Sequence, residues 1–304
     1  MPEHSLQSHQ LAIDLGTDYV EPDLCLSKDL VLMVLHDSTL DETTNIRDHP
    51  IFSDREKNGK FYVYDFTLAE LKTLRLRQRV SERTELYNDI FTIPTFNEVL
   101  DLVWENYENS DGWMIGVYPE LKNPAYTNKI FNVSMEKMVV DALESRGYEI
   151  RGVSQDLHMV QPVVLQSKEV KSLKILRTLT DIPLQQLMNT SYDWSDDVLA
   201  EFSEYVQAVG PDKSFFYGPT VDMAEAQRRI QVAHNLNLVL HPYTFRREAT
   251  YVDESFNNDA EVEAAYFYCC LGIDAVFTEF PDRIRQTIYG MQENKEQVCV
   301  VGGC

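Results

Sequence analysis

Tyr19–Asp37 reads Y-V-E-P-D-L-C-L-S-K-D-L-V-L-M-V-L-H-D, two apolar segments joined by a polar turn at Ser27–Leu30. Side chains two apart on a strand share a face, so Glu21 and Asp23 stand roughly 6–7 Å apart along the backbone. Two carboxylates on one face repel, and losing water costs them free energy unless a cation or a proton lies between them. A lone E-x-D is most simply a polar strand end in water. Here Leu24, Leu26 and the run Val31–Leu35 make the surroundings apolar. A hard cation such as Ca²⁺ or Mg²⁺, which takes oxygen ligands, answers that need.

The net charge of the 304 residues is -22, from 49 acidic and 27 basic side chains. Such a field repels nucleic acid and anionic membranes, and neither is expected as a partner. It also opposes an anionic small molecule, so an anion site must be locally positive. No run approaches the length of a membrane span, and Met1-Pro2-Glu3-His4 lacks the basic start and apolar core of a signal peptide. The five cysteines form no metal-ligand pattern.

Along the chain, Ser5–Gly16 carries Leu6, His9, Leu11, Ala12 and Leu15 at near-helical period and predicts a helix, which takes in the region of His4 and His9. Strands are predicted at Thr17–Leu26, Val31–Leu35, Trp113–Pro119, Pro162–Gln166, Leu173–Leu179, Ser214–Tyr217, Leu236–Thr244 and Ile273–Thr278. Helices are predicted from Phe96 behind a Thr95 cap, and at Ser134–Arg146, Asp197–Val209, Val221–Asn235 and Asp259–Gly272. Ser38–Ile93 is polar and weakly periodic, with only Leu68–Leu76 helical in pattern; a connection this long is usually functional. Repeated βα units at this length point to a (β/α)₈ barrel of the TIM type, one domain over residues 1–304. No G-x-G-x-x-G turn supports a doubly wound sheet instead.

Several ordered motifs carry a resemblance. E-P-D at Glu21, S-K-D at Ser27, V-L-H-D at Val34 and T-T-N at Thr43 come first. Y-P-E-L-K at Tyr118–Lys122, H-P-Y-T-F-R at His241–Arg246 and G-I-D-A-V-F-T-E-F-P-D at Gly272–Asp282 follow. In this pattern the chain resembles the glycerophosphodiester phosphodiesterases, in particular the branch typified by the bacterial periplasmic enzymes. The resemblance implies a phosphodiesterase barrel with a capping insertion at about residues 38–93, and a secreted or periplasmic setting. It also implies hydrolysis of small glycerophosphodiesters to an alcohol and glycerol 3-phosphate.

Carried over residue by residue, it makes Glu21, Asp23 and Glu120 ligands of a divalent cation, Ca²⁺ or Mg²⁺. Lys122 becomes a phosphate contact and His36 one of two catalytic histidines. The family's turn after S-K-D usually ends in glycine; here it ends in Leu30, which is strained if that position needs a positive φ. The second histidine and an arginine belong to an H-R-G motif that occurs nowhere in the chain. The chain opens inside the following motif, at Pro2-Glu3-His4-Ser5, and counts seven barrel strands, so the expectation is a barrel lacking its first strand. Activity is then in doubt, and the alternative is an impaired relative that binds a cation and a phosphorylated ligand. A phospholipase D-like lyase would want a disulfide-braced mouth loop, which the residues around His36 do not offer.

Overall fold

The computed structural model describes residues 1–109, 114–152, 163–218 and 221–293. The chain divides into two compact units, Met1–Asp14 with Asp18–Ile182, and Leu15–Thr17 with Pro183–Cys304.

The first unit opens with helix α1 (Leu6–Asp14), started by Ser5, whose Oγ accepts from the Ser8 amide at 3.0 Å. His4 lies outside this helix, in a turn before it with φ +58°. The expected strand over Thr17–Leu26 is broken at Glu21-Pro22 into β1 (Tyr19–Val20) and β2 (Asp23–Leu26). Pro22 has no N–H to give, yet its carbonyl still accepts from the Glu120 amide at 3.1 Å, so the ladder crosses the break. The predicted Val31–Leu35 strand is the shorter β3 (Leu32–Val34), and it runs antiparallel to β2, with Leu24 opposite Val34. It is the return arm of a hairpin and not a further parallel strand. At the hairpin tip Leu30 has φ +63°, the strained geometry that the missing glycine predicts.

The segment between residues 38 and 93 has a packed apolar interior. Leu40, Ile46, Phe52, Phe61, Val63, Phe66, Leu71, Leu74, Leu76 and Ile93 form one buried cluster with Cys25, Met33 and Leu35 of the hairpin. These apolar residues fall at irregular spacing because short 3₁₀ turns carry them, so no period betrays them. The helical pattern over Leu68–Leu76 shrinks to one turn, α2 (Leu68–Leu71), held by a capping box between Thr67 and Glu70. Arg55 reaches Glu70 with two hydrogen bonds, of 2.8 and 2.6 Å.

Helix α3 (Phe96–Asn109) starts where expected: Thr95 Oγ1 accepts from the Glu98 amide, and Glu98 Oε2 accepts from the Thr95 amide. Strands β4 (Gly116–Val117) and β5 (Glu120–Leu121) follow, β4 parallel to β1 and β5 parallel to β2. Gly116 permits the first pairing, because a Cβ there would lie 2.2 Å from the Tyr19 ring. Helices α4 (Pro124–Phe131) and α5 (Met135–Ser145) lead to β6 (Leu165–Ser167), parallel to β5. Trp113 and Pro162, the outer ends of two predicted strands, lie outside the described residues. The strand expected at Leu173–Leu179 is instead helix α6 (Val170–Leu179), which buries Ser172, Leu173 and Leu176 at helical spacing.

The second unit begins with β7 (Leu184–Met188), all five residues buried, which its two glutamines hide from a hydrophobicity reading. Helix α7 (Asp196–Ser203) stops well before Val209, giving way to β8 (Ala208–Pro211), parallel to β7. Lys213–Phe216 is a 3₁₀ turn and not a strand. Helix α8 (Met223–Asn235) leads to β9 (Val239–Leu240), parallel to β8. Helix α9 (Ala260–Ala265) continues as a π turn to Leu271, and α10 (Pro281–Glu293) closes the unit. Around Ile273–Thr278 one bridge, Phe245 to Thr278, with two backbone bonds to the Leu240 carbonyl, one to Pro242 and one from the Phe245 amide to Phe277, replaces the expected strand. Both units thus alternate helices with parallel strands, the α/β pattern of the expected fold class.

Replacing Leu30 by glycine tests the hairpin. A left-handed non-glycine residue costs roughly 1–2 kcal/mol, partly offset by the greater chain entropy glycine loses on folding. Because Leu30 is 39% exposed and lies outside the buried core, Leu30→Gly should raise the unfolding free energy by about 0.5–1 kcal/mol in denaturant titration. A lower midpoint would contradict the assigned strain.

Candidate functional site

Three neighbouring parallel strands build the site. Asp23 of β2 pairs in register with Glu120 of β5, and Glu120 pairs with Gln166 of β6. Residues paired across adjacent strands present their side chains on the same face, so a carboxylate, a carboxylate and an amide stand in one row. Glu21, two residues before Asp23, accepts a 2.6 Å hydrogen bond from Gln166 Nε2. Lys122, two residues after Glu120, donates to Glu120 Oε2 at 2.7 Å and lies 3.0 Å from Asp23 Oδ1. The second contact is a charge contact without hydrogen-bond alignment, since Asp23 Oδ1 has no hydrogen-bond partner.

The β2–β3 hairpin returns the chain to the same level: the Leu35 amide donates to the Asp23 carbonyl at 2.9 Å. His36 and Asp37 follow at once, with His36 Nδ1 3.0 Å from Asp37 Oδ1. Cys25 donates its thiol to the Asp37 carbonyl beneath them. His4 comes in from the chain start, its Nε2 2.9 Å from Asp23 Oδ2 and its ring 6.4 Å from that of His36. Every predicted site residue, Glu21, Asp23, His36, Glu120 and Lys122, therefore belongs to one cluster within the first unit. His4 and Gln166 were not predicted. The helical pattern takes in His4, whereas the structure places it one residue ahead of the Ser5 cap, outside α1. Gln166 carried no signal, because a single buried glutamine has no pattern of its own.

The electrostatics are those of crowded carboxylates. Glu21 keeps intermediate surface exposure, yet the protein packed around it, and then Asp23, raise its pKa well above the usual carboxylate range. Glu120 is pushed up to about 6, by burial first and by Asp23 next, against the pull of Lys122. Burial alone would raise Asp23 too, but Lys122, His4 and His36 outweigh it and hold Asp23 well below the ordinary range. Lys122 in turn is held charged by Asp23 and Glu120 despite its burial. The hydrogen bond to Asp37 raises His36. The cluster is short of positive charge: three carboxylates face one buried ammonium. One ring nitrogen of His4 and one oxygen each of Glu21 and Asp23 lie within 4.8 Å of one another, close enough to share an ion.

Comparison with known proteins identifies the class and then the family. Solved structures share the fold, among them one from Silicibacter pomeroyi DSS-3 with a TM-score of 0.70 at 18% identity, covering 96% of this chain and 90% of that one. Another is an Oleispira antarctica phosphodiesterase in complex with the product sn-glycerol-3-phosphate, with a TM-score of 0.62 at 21% identity, covering 95% and 92%. The fold class is thus the TIM-type α/β class of the phosphodiesterases. The glycerophosphoryl diester phosphodiesterase family matches residues 1–283, and the chain belongs to that family. A glycerophosphodiester phosphodiesterase of Arabidopsis thaliana is 32% identical over 92% of this chain and 80% of its own length. One of Haemophilus influenzae is 28% identical over 93% and 85%.

Lys122 is the electrostatic keystone of the row, with its side chain only 10% exposed. Lys122→Met leaves Asp23 and Glu120 buried without their counter-charge, and breaking such a group costs about 3–5 kcal/mol. Urea unfolding of the cation-free protein should show a loss of that size. A change under about 1 kcal/mol would mean that the three side chains do not share one charge balance.

Proposed function

We propose that this chain is a divalent-cation-dependent hydrolase that cleaves a glycerophosphodiester with water, giving an alcohol and sn-glycerol 3-phosphate. The observation that carries the reading is the convergence of Glu21, Asp23, Glu120, Lys122 and His36, drawn from separate chain segments, at neighbouring strand ends. The relatives' names and the product held by the Oleispira antarctica phosphodiesterase support the substrate class.

The side chains fit a divalent cation. Three carboxylates with one ammonium form a donor set short of positive charge, and one oxygen of buried Asp23 has no hydrogen-bond partner. Glu21, Asp23 and Glu120 would hold the ion, an oxygen set of the kind Ca²⁺ and Mg²⁺ take. When bound, the ion supplies Lewis-acid stabilisation of the charge that grows on the phosphoryl oxygens. It also cancels the local negative field, so that an anionic diester can approach Lys122.

The chain's own groups do the rest. Lys122, held charged, gives the phosphate a fixed positive partner whose position costs no reorganisation during reaction. Hydrolysis removes a proton from the attacking water and delivers one to the departing alcohol oxygen. His36 suits one of these transfers, because Asp37 fixes its Nδ1 side and leaves Nε2 for the substrate. Gln166 orients Glu21 through its 2.6 Å hydrogen bond.

His36→Asn should lower kcat on glycerophosphocholine by about 10²–10⁴-fold while sn-glycerol 3-phosphate still binds in calorimetry. An unchanged kcat would remove His36 from the chemistry. A wild-type chain that binds sn-glycerol 3-phosphate but turns over no diester would favour the alternative, an impaired relative that only binds.

A further inference from the structure

His4 is the one member of the cluster that this mechanism leaves unused. Its placement is specific. The backbone takes a left-handed φ of +58° there, a conformation that side-chain-bearing residues adopt at a cost and that tends to persist where the surroundings enforce it. The turn is anchored on both sides. On one, Arg79 Nε donates to Glu3 Oε1 at 2.7 Å. On the other, Ser5 Oγ donates to the Pro2 carbonyl at 2.9 Å and caps α1. The result is an imidazole whose side chain is 9% exposed, with Nε2 against Asp23 Oδ2.

The oxygens of Asp23 are divided between two neighbours. Oδ1 lies against Lys122, which also holds Glu120 Oε2, while Oδ2 meets His4. Asp23, Glu21 and His4 each offer one donor atom, mutually within 4.8 Å, and the His4–Asp23 contact is on the Oδ2 side, away from the lysine. Donors to one small tetrahedral ion at about 2.0–2.2 Å stand about 3.3–3.6 Å apart, so small side-chain adjustments, with His4 Nε2 and Asp23 Oδ2 moving apart from 2.9 Å, would seat an ion among them. His4 Nδ1 is buried and has no hydrogen-bond partner. Without an ion, Nε2–H donates to Asp23 Oδ2; with an ion between them, the ring proton would move to Nδ1 and Nε2 would offer its lone pair.

We propose that His4 joins Glu21, Asp23 and Glu120 as a direct ligand of the cation, turning the oxygen set that the carboxylates alone would offer Ca²⁺ or Mg²⁺ into a mixed nitrogen–oxygen site that selects a borderline first-row ion, of the Co²⁺ or Zn²⁺ type, over Ca²⁺. The inference rests on the reading that a divalent cation binds at Glu21 and Asp23. Ca²⁺ and Mg²⁺ favour all-oxygen cages, whereas imidazole nitrogen favours the later transition ions. One imidazole in the set therefore changes which ion the same carboxylates prefer.

The test uses the full chain stripped with a chelator, titrated calorimetrically with Co²⁺ and separately with Ca²⁺, in wild type, His4→Asn and Glu21→Gln. Asparagine accepts a left-handed φ, so His4→Asn keeps the turn. Proton NMR of the Co²⁺-loaded protein supplies a second readout, a strongly shifted, exchangeable imidazole N–H signal. The expected result is that wild type prefers Co²⁺ to Ca²⁺. His4→Asn should weaken Co²⁺ by about tenfold or more, shift Ca²⁺ less than about threefold, and abolish the N–H signal. If Glu21→Gln weakens both ions while His4→Asn weakens neither, the cation site stands and the His4 assignment falls. If neither variant alters binding, or wild type binds no Co²⁺, the assignment falls as well. An N–H signal that persists in His4→Asn would also overturn it.

Discussion

The parallel pairing of Asp23 with Glu120 is the constraint on which the rest of the first unit's chemistry depends. It sets two carboxylates side by side in a buried row, an arrangement that would repel itself open without Lys122 between them. The same register places Gln166 next in the row, where it reaches Glu21, and aligns Leu35 so that His36 emerges beside Asp23. One strand slip would send these side chains to the opposite face. Backbone register and charge balance therefore specify each other here.

The segment after His36 secures that register from the outside. Its apolar cluster grips Cys25, Met33 and Leu35 of the hairpin that carries the site. Phe66, fully buried, meets Phe52 edge-on at 5.2 Å, and Arg55 lies over both rings while holding Glu70. Arg79, from the same segment, ties Glu3 and so the turn that presents His4. A stretch that is polar in composition thus anchors the two chain segments, at residues 1–5 and 32–37, that bring imidazoles to the carboxylates.

Much of the site was legible because its signals are local. Glu21 with Asp23, and Glu120 with Lys122, follow the two-residue period of a strand, and His36 follows an unbroken apolar run. Leu30 announced its left-handed geometry by standing where glycine is usual. What stayed hidden depends on tertiary context. Leu173–Leu179 reads equally well as strand or helix until Leu173 and Leu176 are seen to be buried together. Leu184–Met188 was missed because Gln185 and Gln186 look polar, although both are buried. The core of residues 38–93 has no period to detect. His4 becomes part of the site only when the turn before α1 meets Asp23, a contact nineteen residues apart in sequence.

The central claim is that these side chains together hydrolyse a glycerophosphodiester with the help of a divalent ion. Phosphorus NMR of glycerophosphocholine incubated with the chain tests it most directly, once with divalent ions present and once with a chelator. The account predicts that the diester resonance is replaced by the phosphomonoester resonance of sn-glycerol 3-phosphate, and only when the ion is present. Phosphocholine as the monoester, or conversion that is the same in chelator, would contradict it.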